Sequence, residues 1–293
     1  MNDLRCSPQL RAEGADPVGT AGSYAGFALV GAPLPWAADV AEVLPDVAAV
    51  LAGTGVRLQA VVPEGDDGDS VLHRRPDGPF AGYVRSVGAL DALLAAQVGE
   101  GRRAGRDVLV CTHGRRDRCC GSFGTELWQD LARDGGPGDD VTLWRTSHTG
   151  GHRFAPTVVV LPEGTAWGWC DAEVVRRVLD RSGPIEAVLP HYRGCTGLPG
   201  PPLQAVERAV LAEVGWPLLD TWRDGTDLGG GRWRLATGLG TWEATVARGR
   251  RWPVPACGVA LADLAAGGAD GDGGGGGGKA DVELLVERLE RVA

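Results

Sequence analysis

Apolar residues recur at helical spacing through PWAADVAEVLPDVAAVLAGTG (35–55), and VRLQAVVPEG (56–65) then runs like a strand closed by a turn. The two predict an α/β unit. A polar loop is expected over 66–79, followed by an amphipathic helix over VGALDALLAAQVGEG (87–101) with a glycine stop. DVLVC reads as a strand ending at Cys111. FGTELWQDLARDGG (123–136) places Phe123, Leu127 and Leu131 on one helical face. VTLWRTS predicts a strand, HTGGH (148–152) a loop, and TVVVLPEG (157–164) a buried strand of β-branched residues. DAEVVRRVLDRSG (171–183) predicts a helix capped by Asp171, and LQAVERAVLAEVGW (203–216) another after the Pro/Gly-rich PHYRGCTGLPGPP.

From 107 to 183 the expected order is strand, helix, strand, loop, strand, strand, helix, which is the order of a thioredoxin-like fold. GRWRLATGLGTWEATVARG (231–249) alternates around a GLG turn and predicts a hairpin. GGADGDGGGGGG (267–278) has too little apolar surface to offset its ordering entropy and predicts a flexible linker. The closing VELLVERLERV predicts a short amphipathic helix, tethered to the body rather than integral to it. The expected class is therefore α/β. Residues 1–104 form an N-terminal α/β region packed on the core, 105–217 the thioredoxin-like domain, 218–262 a hairpin extension, and 263–293 the glycine-rich linker with its terminal helix.

Composition narrows the chemistry. A chain of 293 residues, 43% of them hydrophobic, has ample core material. No run of about 18 apolar residues appears, and MNDLRCSPQLRAEG has no apolar stretch of the secretory kind, so a soluble cytoplasmic protein without a membrane partner is expected. A formal net charge of -9 argues against a nucleic-acid partner, whose phosphates would need an excess of clustered cations. Seven scattered cysteines, Cys6, Cys111, Cys119, Cys120, Cys170, Cys195 and Cys257, favour metal ligation or thiol chemistry over a disulfide framework.

Thiolates and imidazoles suit zinc, copper and iron-sulfur clusters. Cys111 and Cys120 are spaced C-x8-C, and His148 and His152 are spaced H-x3-H. Both pairs follow the ends of strands that would neighbour each other in a parallel sheet. Gly150 and Gly151 disfavour a helical HExxH-type zinc site, whose glutamate is also missing. The eight-residue cysteine spacing is too long for a zinc finger, although zinc remains the second candidate. Cys111-Thr112-His113 resembles half of a Rieske motif whose other half is absent. A thiol-disulfide enzyme using Cys119 and Cys120 is a third reading, weakened by the missing C-x-x-C. Cys6, Cys170, Cys195 and Cys257 have no partner at ligand spacing and read as ordinary core or loop residues. His113 is expected beside the site or exposed, and His191 in a structural role. Arg115, Arg116, Arg118, Arg145 and Arg153 crowd the site, either as surface ion-pair partners or as contacts for an anionic partner.

DVLVCTHGRRDRCCGSFG, WRTSHTGGHRFAPTVVVLPEG and HYRGCTGLPGPPLQAVERAVLAEVGW resemble the sucrase/ferredoxin-like family, with weaker echoes in GTA (19–21), PLPW (33–36) and PACG (255–258). The resemblance implies a thioredoxin-like ferredoxin domain holding one [2Fe-2S] cluster. Its ligands would be Cys111, Cys120, His148 and His152, with the two imidazoles standing where all-cysteine members have a C-x3-C pair. It further implies a cis peptide before Pro156. No paired-carboxylate motif supports a glycosidase. Two neutral imidazoles in place of two thiolates remove negative charge from the cluster, which raises its potential well above the roughly -400 mV of all-cysteine plant-type clusters and can couple reduction to proton uptake. The expected role is an electron carrier with no catalytic activity of its own, reduced by a flavoprotein or other reductase and passing electrons to an unidentified acceptor.

Overall fold

Val108, Leu109 and Val110 are completely buried, as befits a strand at the centre of a sheet covered on both faces. In the computed structural model, which describes residues 4–63, 69–96, 105–133, 136–266 and 280–293, they belong to a nine-stranded sheet. Its strands are β1 (Gly26–Gly31), β2 (Val56–Val61), β3 (Ser70–Arg74), β4 (Val84–Gly88), β5 (Arg106–Cys111), β6 (Val141–Thr146), β7 (Val158–Leu161), β8 (Thr165–Trp167) and β9 (Tyr192–Cys195). Across the sheet they run β4-β3-β1-β2-β6-β5-β7-β8-β9.

β5 lies parallel to β6, with Cys111 opposite Thr146, and antiparallel to β7, which pairs antiparallel with β8. A parallel pair needs a crossover, supplied here by the helix Thr125–Ala132, which buries Leu127 and Leu131. The helix Ala172–Asp180 follows β8, with the Asp171 carboxylate accepting from the Val174 N–H as its N-cap. β6, β5, β7 and β8 with these two helices make the thioredoxin-like arrangement expected for this stretch. The peptide before Pro156 is cis. β1 to β4 extend the same sheet beyond β6 through the pairing of Val61 with Thr146.

A second sheet of four antiparallel strands comprises β10 (Arg223–Gly229), β11 (Arg232–Thr237), β12 (Gly240–Pro253) and β13 (Ala280–Arg291). The expected hairpin is β11-β12, turning between Thr237 and Gly240. The expected terminal helix is instead β13, paired with β12 from Trp242 opposite Arg291 to Pro253 opposite Ala280. Val282, Leu284 and Val286 fit a two-residue period as well as a helical one, and a short apolar run does not decide between them. The long edge of β12 decides it, with Leu284 buried beside Val18 and Ala205. The segment is therefore integral rather than a loosely tethered tail. The expected glycine-rich linker lies outside the described residues.

Other departures are local. Residues 35–55 form two helices, Val40–Val43 and Pro45–Leu51, because Pro45 cannot donate to the preceding turn and Leu44 leaves the helical region at φ -133. The expected polar loop over 66–79 contains β3, whose SVLHR is drawn into the sheet by β1 and β4 on either side. The helix expected over 87–101 spans Leu90–Ala95, since Val87 and Gly88 end β4.

Asp107, at the start of β5, is buried and cross-links this sheet. Its carboxylate accepts from His73 Nε2 at 2.8 Å, Arg85 Nε at 2.6 Å and Trp144 Nε1 at 2.7 Å. Burial opposes its ionisation, yet the hydrogen bonds from His73 and Arg85 outweigh that cost and hold the carboxyl down to about 2. The stabilisation is complete above the unfolded-state value of about 3.9 and is lost as pH falls from there through about 2. Asp107→Asn strands the Arg85 charge and is expected to lower the unfolding free energy by about 3–5 kcal/mol. Urea unfolding between pH 6 and 2.5 checks both points: the wild type should lose stability below about pH 4, and this loss should be smaller in the variant.

Candidate metal centre

Because β5 and β6 run parallel in register, the chain leaves both strands at the same end of the sheet, and the loops after Cys111 and Thr146 emerge side by side. After β5 the chain turns back through a wide π-helical turn, Cys120–Gly124, before the crossover helix. Gly124 makes this possible: a Cβ there would collide with the Cys111 carbonyl oxygen. After β6, Gly150 and Gly151 carry positive φ of 89° and 75°, and a Cβ at Gly151 would strike the Arg193 guanidinium.

These loops bring together Cys111, Cys120 and His148, whose two sulfurs and one ring nitrogen all lie within 4.8 Å of one another. Both cysteines are fully buried. The Cys120 thiol donates to Cys111 and, together with the His148 ring, holds the Cys111 thiol well below its ordinary value against the opposing effect of burial. The His113 backbone N–H also donates to Cys111. Cys120 moves the other way, raised by that same thiol pairing and by burial. His148 Nδ1 is buried with no hydrogen-bond partner among the described residues. An unpartnered buried nitrogen beside a thiol whose pKa is lowered suits metal ligation.

His152, the fourth expected ligand, is placed differently. Its ring centroid is 5.9 Å from that of His148, but its Nδ1 faces away from the first two cysteines, 3.0 Å from Asp117 Oδ2 and 3.5 Å from Cys6 Sγ. Burial opposes ionisation of Asp117, but His152 and the Cys119 N–H hold its carboxyl down to about 2. The adjacent cysteines point to opposite sides. Cys120 faces Cys111 and His148, while Cys119 lies 3.7 Å from Cys6 and 3.2 Å from Cys257, sulfur to sulfur. A hydrogen bond from Cys6 holds the Cys119 thiol at about 6 and raises that of Cys6 itself. The expectation that Cys6 and Cys257 lack partners is therefore overturned: with Asp117 and Cys119 they form a second group of possible ligands. Sequence spacing hides this group, because Cys6 and Cys257 join Cys119 from separations of 113 and 138 residues. Cys170 and Cys195 are buried in the main hydrophobic core.

The three short strings noted beside the main motifs all converge here. Thr20, in GTA, accepts from the wholly buried Arg193 through its carbonyl at 2.6 Å and its hydroxyl at 3.0 Å, while Arg193 Nη1 donates to Gly150 O at 3.0 Å. Trp36, ending PLPW, meets the His113 ring edge-on at 5.7 Å, and the next residue, Ala37, accepts from His113 Nε2 at 2.8 Å. Burial lowers the His113 pKa, keeping that ring neutral. PACG supplies Cys257. His191 Nδ1 bonds Gly168 O at 3.0 Å, the structural role expected of it. Of the five arginines, Arg115, Arg116 and Arg118 are exposed, Arg145 stacks over Trp128, and Arg153 pairs with Asp281 of β13. A cavity of about 310 Å³ opens between Asp39, Arg57, His113, Arg116 and His148, reaching the first group from solvent.

Buried thiols and a half-buried imidazole at the end of a parallel strand pair define an α/β domain with Cys/His groups able to bind metal. The chain belongs to the sucrase/ferredoxin-like family, whose sequence profile matches residues 18–194. The matched stretch holds all of the first group and of the second only Asp117 and Cys119. No curated protein and no solved structure matches the chain. No described helix is long and apolar enough to cross a membrane.

Arg193 positions the HTGGH loop, a role its place in HYRGC did not reveal. Lysine cannot reproduce its three-point fork, so Arg193→Lys is expected to lower the unfolding free energy by roughly 2–3 kcal/mol and to weaken metal retention at His148. Denaturant midpoints and metal content after dialysis against a chelator measure the two effects.

Proposed function

We propose that the protein is an electron carrier holding one [2Fe-2S] cluster through Cys111, Cys120, His148 and His152. The observation that carries this reading is the first group itself: two buried sulfurs and a ring nitrogen within 4.8 Å, with His148 Nδ1 lacking any protein partner among the described residues. Thiolates on one iron and imidazoles on the other are a known division of ligands. His152 can join this set through Nε2, because Asp117 occupies Nδ1 and so fixes both tautomer and ring orientation.

When bound, such a cluster supplies reversible one-electron chemistry at a potential raised by its neutral ligands. The protein's own residues do the rest. Cys120, His148 and the His113 N–H lower the Cys111 pKa against burial, which favours the thiolate form that ligates metal. Asp117 holds the proton of His152 Nδ1. Trp36 and Ala37 fix His113 behind Cys111. The exposed Arg115, Arg116 and Arg118 present a cationic rim on an otherwise acidic protein, which suits an acidic reductase surface, and the cavity beside His148 is the nearest approach for it.

The test is iron and sulfide content with the visible spectrum of the full-length protein. Two irons and two sulfides per chain with red-brown absorption are expected, lost in Cys111→Ser and Cys120→Ser and retained in Cys119→Ser. A colourless protein that binds zinc at the same four residues would establish the zinc-stabilised module instead. A proton on a ligating imidazole should make the potential fall as pH rises above its oxidised-state pKa, by at most about 59 mV per unit for one electron. A midpoint flat from pH 6 to 10 would remove proton coupling.

A further inference from the structure

The second thiol group shares none of the proposed cluster ligands, although Cys6 Sγ lies 3.5 Å from His152 Nδ1. Cys6 comes from the N-terminal helix Cys6–Ala12, Cys119 from the entrance of the π-helical turn Cys120–Gly124, and Cys257 from the segment after β12, where the Gly258 N–H bonds Leu4 O at 2.8 Å. The three sulfurs form a triangle with sides of 3.7, 3.2 and 3.6 Å, all as free thiols. The Asp117 carboxylate completes a fourth corner through Oδ1, which lies 3.5 Å from Cys257 Sγ and 3.8 Å from Cys6 Sγ. Cys6 and Cys119 are inaccessible to solvent and Cys257 is half-buried.

These separations have a simple meaning. Zinc-sulfur bonds of about 2.3 Å at tetrahedral angles put sulfurs about 3.8 Å apart, and zinc-oxygen bonds of about 2.1 Å put sulfur and oxygen about 3.6 Å apart. We propose that Cys6, Cys119, Cys257 and Asp117 form a closed tetrahedral zinc site that fastens the N-terminal helix and the segment after β12 over the cluster-binding loop. The carboxylate corner selects zinc over copper(I), which prefers an all-sulfur set. Four protein donors leave no open position, so the ion is structural. The Arg118 guanidinium lies over Gly258, next to Cys257, where it offsets the negative charge of three thiolates and a carboxylate.

The site also explains why Asp117 lies between the two groups. Oδ1 faces Cys257 and the Cys119 N–H, while Oδ2 lies 3.0 Å from His152 Nδ1. One carboxylate thus serves the zinc and, through His152, holds a ligand of the neighbouring centre.

Metal analysis of full-length protein produced with both iron and zinc tests the proposal, and the two metals are counted separately. One zinc per chain is expected, with a zinc-edge X-ray absorption spectrum fitting three sulfurs at about 2.3 Å and one oxygen at about 2.0–2.2 Å. Cys257→Ser, at the least buried corner, should lose the zinc and keep the iron, whereas Cys111→Ser should lose the iron and keep the zinc. Wild-type protein that holds one zinc but no iron would count against the proposed cluster and leave the zinc site standing. Wild-type protein with less than a tenth of an equivalent of zinc would overturn the proposal. So would zinc retained undiminished in Cys257→Ser, or a mass showing a Cys119–Cys257 disulfide.

Discussion

The parallel pairing of β5 with β6 is the constraint on which the rest depends. In register, it places Cys111 opposite Thr146, so the cysteine loop and the HTGGH loop leave the sheet together. The buried Asp107 fixes that register, because a slip by one residue would carry its carboxylate away from His73, Arg85 and Trp144. The crossover helix makes a parallel pair possible, and Gly124 lets its first turn press against the Cys111 carbonyl. The geometry of the thiols is thus a consequence of the core rather than an addition to it.

Around this pair the chain builds a shell from distant segments. Arg193 ties β9 to Thr20 and Gly150, Trp36 and Ala37 hold His113, and Asp281 of β13 holds Arg153 next to His152. These contacts immobilise loops whose own sequence is rich in glycine and would otherwise wander. Asp117 is the junction between the two thiol groups, and its depressed pKa keeps it anionic for His152 throughout the physiological range.

The central unit was legible because β5 and β7 are short, valine-rich and almost wholly buried, and the helix after β8 carries a clear cap at Asp171. Most of the first group was legible because Cys111 and Cys120 are close in sequence and His148 follows the strand that neighbours β5. What escaped had no local signature. Cys6 and Cys257 looked solitary because a partner 251 residues away leaves no spacing to read. Asp117 looked like one more charge in GRRDR, and only its burial beside His152 sets it apart. The terminal segment reads as a helix because its Glu and Arg residues support helical pairing equally well, and the edge of β12 that captures it is far upstream in sequence, Trp242 opposite Arg291 and Pro253 opposite Ala280.

Imidazole ligation of a paramagnetic cluster is the central claim, and pulsed electron paramagnetic resonance of the dithionite-reduced protein addresses it directly. Two strongly coupled nitrogens are predicted, one disappearing in His148→Cys and the other in His152→Cys. A reduced cluster with no coupled imidazole nitrogen, or with couplings unchanged in both variants, would contradict it.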